Sequence, residues 1–144
     1  MWIVYALLSA AVWGANYLFY EKILQRISIS TLYVIDLTVG AVVFLLFAAF
    51  SGSFLKDISL IQSNRSLLLL ILATVITSVL ANLFIALAIQ SKNATLSTLI
   101  EISYTIFIIL LGWILFKQNH LTPSVLIGGG LIFTGIAVIY AFNK

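Results

Sequence analysis

Leu67 to Ile89 reads LLLLILATVITSVLANLFIALAI, an unbroken apolar stretch without a charge. A membrane-spanning helix needs about 20 mainly apolar residues, because each residue rises about 1.5 Å and the hydrocarbon core is about 30 Å thick. This stretch meets that requirement. Four others do so too: Trp2 to Tyr20, Thr31 to Phe50, Thr95 to Phe116 and Ser124 to Phe142. The intervals Glu21 to Ser30, Ser51 to Ser66, Gln90 to Ala94 and Lys117 to Pro123 carry most of the charge. The fold class expected is an all-α integral membrane protein, a bundle of five transmembrane helices. Residues 1–144 are expected to form a single domain.

Composition excludes the main alternatives. Of 144 residues, 63% are hydrophobic and 8% charged. A water-soluble domain of this size needs more polar surface than that. A closed β-barrel would show alternating polarity, whereas these runs are continuously apolar. The net charge of +3 rests on seven scattered basic residues. No basic patch exists, so nucleic acid is not an expected partner. There is no cysteine and no metal-ligand spacing around His120, and neither a nucleophile triad nor a phosphate-binding glycine loop appears. No cofactor, no metal and no enzymatic activity are therefore expected. Met1-Trp2-Ile3 lacks the basic start of a signal peptide, and the apolar run continues to Tyr20, so the first segment reads as a retained helix.

Local signals mark the helix ends. Thr122-Pro123 reads as an N-cap followed by a first helical turn, and Asn93 reads as a second cap. Aromatic residues near the ends, among them Trp2, Tyr20, Phe50, Trp113 and Tyr140, suit an interfacial belt. An odd number of crossings puts the termini on opposite sides. Side A, with the second and fourth connections, carries Lys56, Arg65 and Lys117, and side B carries Lys22, Arg26, Lys92 and Lys144. Three against four is nearly balanced, so the positive-inside rule gives little bias. Fixed insertion and dual topology, with copies inserted both ways, both follow from such a count.

Polar groups within the spans are costly and mark candidate sites. Asn16, Asp36, Asn82 and Glu101 each lie four to seven residues from the side-B end of their own segment. That spacing places all four about 6 to 10 Å below the side-B surface. Trp13, Asn16, Tyr17 and Tyr20 share a face of the first helix, Tyr33, Asp36 and Gly40 of the second, and Thr98, Glu101, Tyr104 and Thr105 of the fourth. The candidate binding or translocation residues are Glu101, Asp36, Asn16, Asn82, Trp13, Tyr17, Tyr104 and Tyr33. They would form a polar, aromatic-rimmed cavity open toward side B, with Glu101 as the protonatable group for coupling. Interhelical hydrogen bonds that only fix packing are the alternative reading. The glycines Gly128, Gly129, Gly130 and Gly135, and Ala6, Ala10 and Gly14, suit close helix packing.

Three motifs add a family resemblance. Trp13-Gly14-Ala15-Asn16-Tyr17 resembles the WGxN(F/Y) start of the EamA-like domain of the drug/metabolite transporter superfamily. Ile102-Ser103-Tyr104-Thr105-Ile106-Phe107 through Leu115-Phe116-Lys117 resembles its ISYPxF…LLFKE stretch. Leu121-Thr122-Pro123 and Ile127 to Gly135 resemble its LTP…IGxxLIxxG ending. Thr105 stands where that family usually has proline, Gln118 or Asn119 where a glutamate closes the helix, and Asp36 near a position often basic.

The resemblance implies one inverted-repeat unit, half of a ten-helix exporter, set in a bacterial cell (inner) membrane as a multi-pass protein. Such a half would rebuild the whole by pairing with an oppositely oriented copy or a paralogous half-transporter. It implies a secondary transporter, an exporter in the family's manner, of a small metabolite or amphipathic compound. Proton coupling is an associated expectation. The partners expected are membrane lipid, a small-molecule substrate and an antiparallel second copy. A non-transporting accessory or scaffold subunit and a flippase for lipid-linked substrates are the competing readings.

Overall fold

A computed structural model describes residues 1–117 and 122–142; Gln118, Asn119, His120 and Leu121, and Lys144 from the side-B charge count, lie outside the described residues. Seven helices follow one another: α1 (Trp2–Ile23), α2 (Ile29–Ser51), α3 (Phe54–Ser63), α4 (Arg65–Ser91), α5 (Ala94–Glu101), α6 (Tyr104–Phe116) and α7 (Pro123–Phe142). Five spans are long and apolar enough to cross a bilayer, namely α1, α2, α4, α5 with α6 as Ala94–Phe116, and α7. Mean hydropathy is 1.4 for the first and 2.2 to 2.5 for the others. The spans run at or a few residues beyond the apolar limits, because capping turns extend helices into polar flanks.

Local chemistry sets the boundaries. The Ser28 hydroxyl accepts from the Thr31 amide at 3.3 Å and starts α2. The Asn93 carboxamide accepts from the Leu96 amide at 2.8 Å and starts α5. Thr122 Oγ1 accepts from the Val125 amide at 3.3 Å ahead of α7. Each satisfies an amide that the first helical turn leaves unpaired. Gly52 closes α2 in the left-handed conformation at φ 67°, which glycine adopts without a Cβ penalty. Lys117 adopts the same region at φ 54° after α6 and is the non-glycine residue to do so among the described residues.

Two features depart from the sequence expectation. The second connection, expected to be a loop, contains α3, whose apolar Phe54, Leu55, Ile58 and Ile61 alternate with Lys56, Asp57, Ser59 and Gln62 at helical spacing. Ten residues make about 15 Å, half of the hydrocarbon core, so α3 cannot cross and keeps α2 and α4 joined on side A. The fourth span is also not one continuous helix. After Glu101 the amides of Ser103, Thr105 and Ile106 bond to Ile100, Ile102 and Ser103, three residues back rather than four. The Thr105 hydroxyl adds a bond to the Ile102 carbonyl at 3.1 Å. A tight 3₁₀ turn thus breaks the helix beside Glu101 without any proline.

The chain divides into two compact units, Met1–Gln90 and Ser91–Lys144. In the first, α3 lies against α2. Its buried residues are Tyr20, Leu24, Leu32, Ile85, Ala86 and Ile89, all at the side-B ends of α1, α2 and α4. In the second, α5 lies against α7, with Ala94 and Ser97 buried at the start of α5. Elsewhere large apolar side chains face outward, for example Phe44, Leu70, Phe107 and Leu131. Lipid tails are the solvent that such surfaces fit.

Candidate functional site

Four aromatic rings and an acid form the ordered polar centre of the first unit. Along α1, the Trp13 and Tyr17 ring centroids lie 5.5 Å apart, and Tyr17 and Tyr20 lie 6.4 Å apart edge to face. Spacings of four and three residues put them on one helical face. Tyr20 then meets Tyr33 of α2 edge to face at 5.8 Å. Edge-to-face contacts at this distance are favoured by the ring quadrupoles.

Two phenols tie three helices together. Tyr20, buried at 5% exposure, donates its hydroxyl to Asp36 Oδ2 at 2.7 Å. Tyr33 donates to the backbone carbonyl of Asn82 at 2.6 Å. One bond thus joins α1 to α2 and the other joins α2 to the α4 backbone, and the Tyr20–Tyr33 ring contact lies between them. Asp36 itself is more than a third exposed and accepts its hydrogen bond from Tyr20. Asn16 lies one helical turn before Tyr20. Its Oδ1 is buried and accepts no hydrogen bond. A buried acceptor without a donor is costly.

Beside this network a cavity of about 550 Å³ opens between α2 and α4. Tyr33 and Asn82 stand in its wall, with Ser28, Ser30, Ser78 and Gln90. Ile29, Leu37, Val79 and Leu83 supply the apolar part. Small-molecule sites range over about 300 to 1,000 Å³ with few polar groups in a mostly apolar wall, and this cavity fits that description. Ser28, Ser30 and Gln90 stand at the side-B helix ends and form its mouth. Leu37 and Ser78 lie deeper, about 12 and 18 Å along their helices from Ile29 and Gln90.

The candidate residues are therefore distributed as follows. Trp13, Asn16, Tyr17, Tyr33, Asp36 and Asn82 belong to the first unit, and ring contacts or hydrogen bonds join Trp13, Tyr17, Tyr33, Asp36 and Asn82 through Tyr20. Glu101 and Tyr104 belong to the second unit, at the two sides of the 3₁₀ turn; Glu101 is half-buried and Tyr104 is 54% exposed. Ser28, Ser30, Ser78 and Gln90 were not singled out from the sequence. The four-residue step from Ser78 to Asn82 on one helix face was the available signal. The second unit holds its own smaller cavity of about 210 Å³ between α6 and α7, floored by Gly129 and Gly130 and walled by side chains such as Ile109 and Phe133. Among the described residues, no three His, Cys, Asp or Glu side chains gather to hold a metal ion.

The EamA-like transporter family matches residues 1–141. That covers nearly the whole sequence. The chain belongs to the EamA-like transporter family. No curated protein and no solved structure matches it. An EamA-like transporter is a membrane transporter of the drug/metabolite kind, and this family is not one of enzymes. Five apolar spans agree with that membership and make this EamA-like chain a multi-pass membrane protein.

Proposed function

We propose that this EamA-like chain is a secondary transporter of a small metabolite or amphipathic compound, built as a half-transporter. The observation that carries the reading is the pair of hydrogen bonds that ties α1 to α2 and α2 to α4 beside the α2–α4 cavity. Polar groups this deep are expensive and by default mark a functional pathway. Residues 1–144 act as one functional domain in this reading. Trp13, Asn16, Tyr17, Tyr33, Asp36 and Asn82 in the first unit, and Glu101 and Tyr104 in the second, are the residues proposed to handle the substrate. Glu101 carries the coupling proton, and the adjoining 3₁₀ turn gives its segment a place to bend. Discontinuous spanning helices are where transporters commonly place such groups.

An odd number of spans needs an inverted partner to make alternating access symmetrical. The near-balance of three basic residues on side A and four on side B supports insertion both ways, hence an antiparallel homodimer. Direction is outward across a bacterial inner membrane, in keeping with the family. Purified protein reconstituted in proteoliposomes tests the reading. A panel of labelled small metabolites is expected to reveal flux that depends on an imposed pH gradient, and Glu101→Gln is expected to abolish that dependence. Flux of the same size and pH profile in the Glu101→Gln variant would remove Glu101 from the mechanism. Absence of flux, together with crosslinking to a different membrane protein in native membranes, would favour an accessory subunit instead.

A further inference from the structure

We infer that the α2–α4 cavity binds an uncharged amphipath whose amide or hydroxyl head pairs with the side-chain carboxamide of Asn82. The inference rests on the transporter reading for what happens to the molecule, and on the cavity alone for its chemistry.

Charge is the first discriminator. Among the described residues, no Asp, Glu, Lys, Arg or His lines the cavity. Asp36 is next to Leu37 in sequence, yet its carboxylate is held by Tyr20 of α1, and Leu37 is the residue that meets the cavity. An ion entering a space walled by Leu37, Val79 and Leu83 would lose hydration with no opposite charge to replace it. A neutral molecule meets no such penalty.

Hydrogen-bonding capacity is the second. The Tyr33 hydroxyl hydrogen is spent on the Asn82 backbone carbonyl. Ser78 donates to its own helix at Thr74, 2.9 Å away, and Ser28 and Ser30 bond one another at 3.0 Å. Gln90 reaches the Leu24 carbonyl only at 3.5 Å. The Asn82 carboxamide is half-buried and, among the described residues, engages no protein group. It therefore offers a donor and an acceptor side by side, which an amide or hydroxyl matches in both senses and an ammonium or carboxylate matches in only one. Eight residues along α4, about 12 Å, separate it from Gln90 at the mouth. A chain of about eight carbons covers most of that distance along the aliphatic wall.

The native sequence contains no cysteine, so one introduced thiol reports without background. Ser30→Cys in the full chain in nanodiscs places that reporter at the mouth, and Ser59→Cys on α3 provides a control outside the cavity. The probes are octanamide, octylammonium and octanoate, compared at equal membrane occupancy. Octanamide is expected to slow maleimide labelling of Cys at position 30 at least about five-fold more than either ion, and to leave position 59 unaffected. Asn82→Leu is expected to remove that protection; Gln90→Ala, at the exposed rim, is expected to weaken it and serves if Asn82→Leu does not fold. Equal protection by all three probes, stronger protection by an ion, or octanamide protection undiminished in both variants would overturn the inference. Selective octanamide protection without octanamide flux in proteoliposomes would keep the cavity's assignment while removing the transporter reading. Flux of a charged metabolite without octanamide protection would do the reverse.

Discussion

Tyr20 and Asp36 join α1 to α2 through one hydrogen bond of 2.7 Å, from a phenol that is buried to a carboxylate that is more than a third exposed. The buried partner is fixed by ring contacts with Tyr17 and Tyr33, so the bond is preorganised on its donor side. A bond of this type to an ionised acceptor contributes about 1 to 3 kcal/mol, with the lower end applying where solvent reaches the acid. Tyr20→Phe and Asp36→Asn are each expected to destabilise the protein by about 1 kcal/mol in micelles. A double-mutant cycle by reversible unfolding in mixed micelles is expected to show that the two losses do not add. Full additivity would mean that the bond contributes nothing.

Asn16 gives the opposite sign. Its buried Oδ1 has no donor, and such a group costs about 1 to 3 kcal/mol. Replacing it with leucine is expected to raise stability by about 1 kcal/mol and, if Asn16 contacts the substrate, to reduce flux at least about ten-fold. The pair of measurements is decisive because a packing residue would lose stability on substitution. A less stable Asn16→Leu protein with unchanged flux would return Asn16 to a structural role.

Lys117 adopts a backbone conformation that side chains disfavour, at φ 54°. Glycine occupies this region without penalty, and the cap amide bonds to Gly112 and Trp113 do not involve the lysine side chain. Lys117→Gly is expected to stabilise the protein by about 0.5 to 1 kcal/mol. Thermal unfolding in micelles checks this; a loss of stability would show that the lysine head group has its own anchoring role at side A.

The 3₁₀ turn after Glu101 should open more readily than the helix beyond it, since i+3 hydrogen bonds are poorer than i+4 bonds. Amides of Ser103, Thr105 and Ile106 are expected to exchange hydrogen at least about ten-fold faster than those of Ile108 to Leu111. Residue-resolved exchange in nanodiscs measures it directly. Uniform protection from Leu99 to Leu111 would mean a continuous helix in the bilayer.

The five spans were legible in the sequence because hydrocarbon thickness leaves a long, uncharged signature such as Leu67 to Ile89. The caps at Asn93 and Thr122 were legible for a local reason: a side-chain oxygen one turn ahead of an apolar run has few other uses. The α3 helix escaped because its ten residues are too short for a span and too mixed in polarity to stand out. The break after Glu101 escaped because its register shift depends on backbone geometry around Ile102 and Ser103, which no proline announces. At the site, helical spacing placed Tyr20 among Trp13, Asn16 and Tyr17, yet its bond to Asp36 joins two helices and has no pattern in either alone. Ser78 and Gln90 belong to the cavity wall only because α4 packs beside α2, and such pairing is invisible to local periodicity.

The short helix α3 has a mechanical consequence for the pocket at the other end of the molecule. The pocket's two walls, α2 and α4, are connected through it by joints of two residues, Gly52-Ser53, and one residue, Asn64. The arrangement is that of tweezers: two long arms, a rigid ten-residue bridge at the closed end on side A, and jaws on side B. Spreading the jaws without melting either arm requires torsion at Gly52 or Asn64. A small rotation there is magnified along a lever of more than twenty residues, so the width of the jaws depends on joints at the opposite end of the two arms.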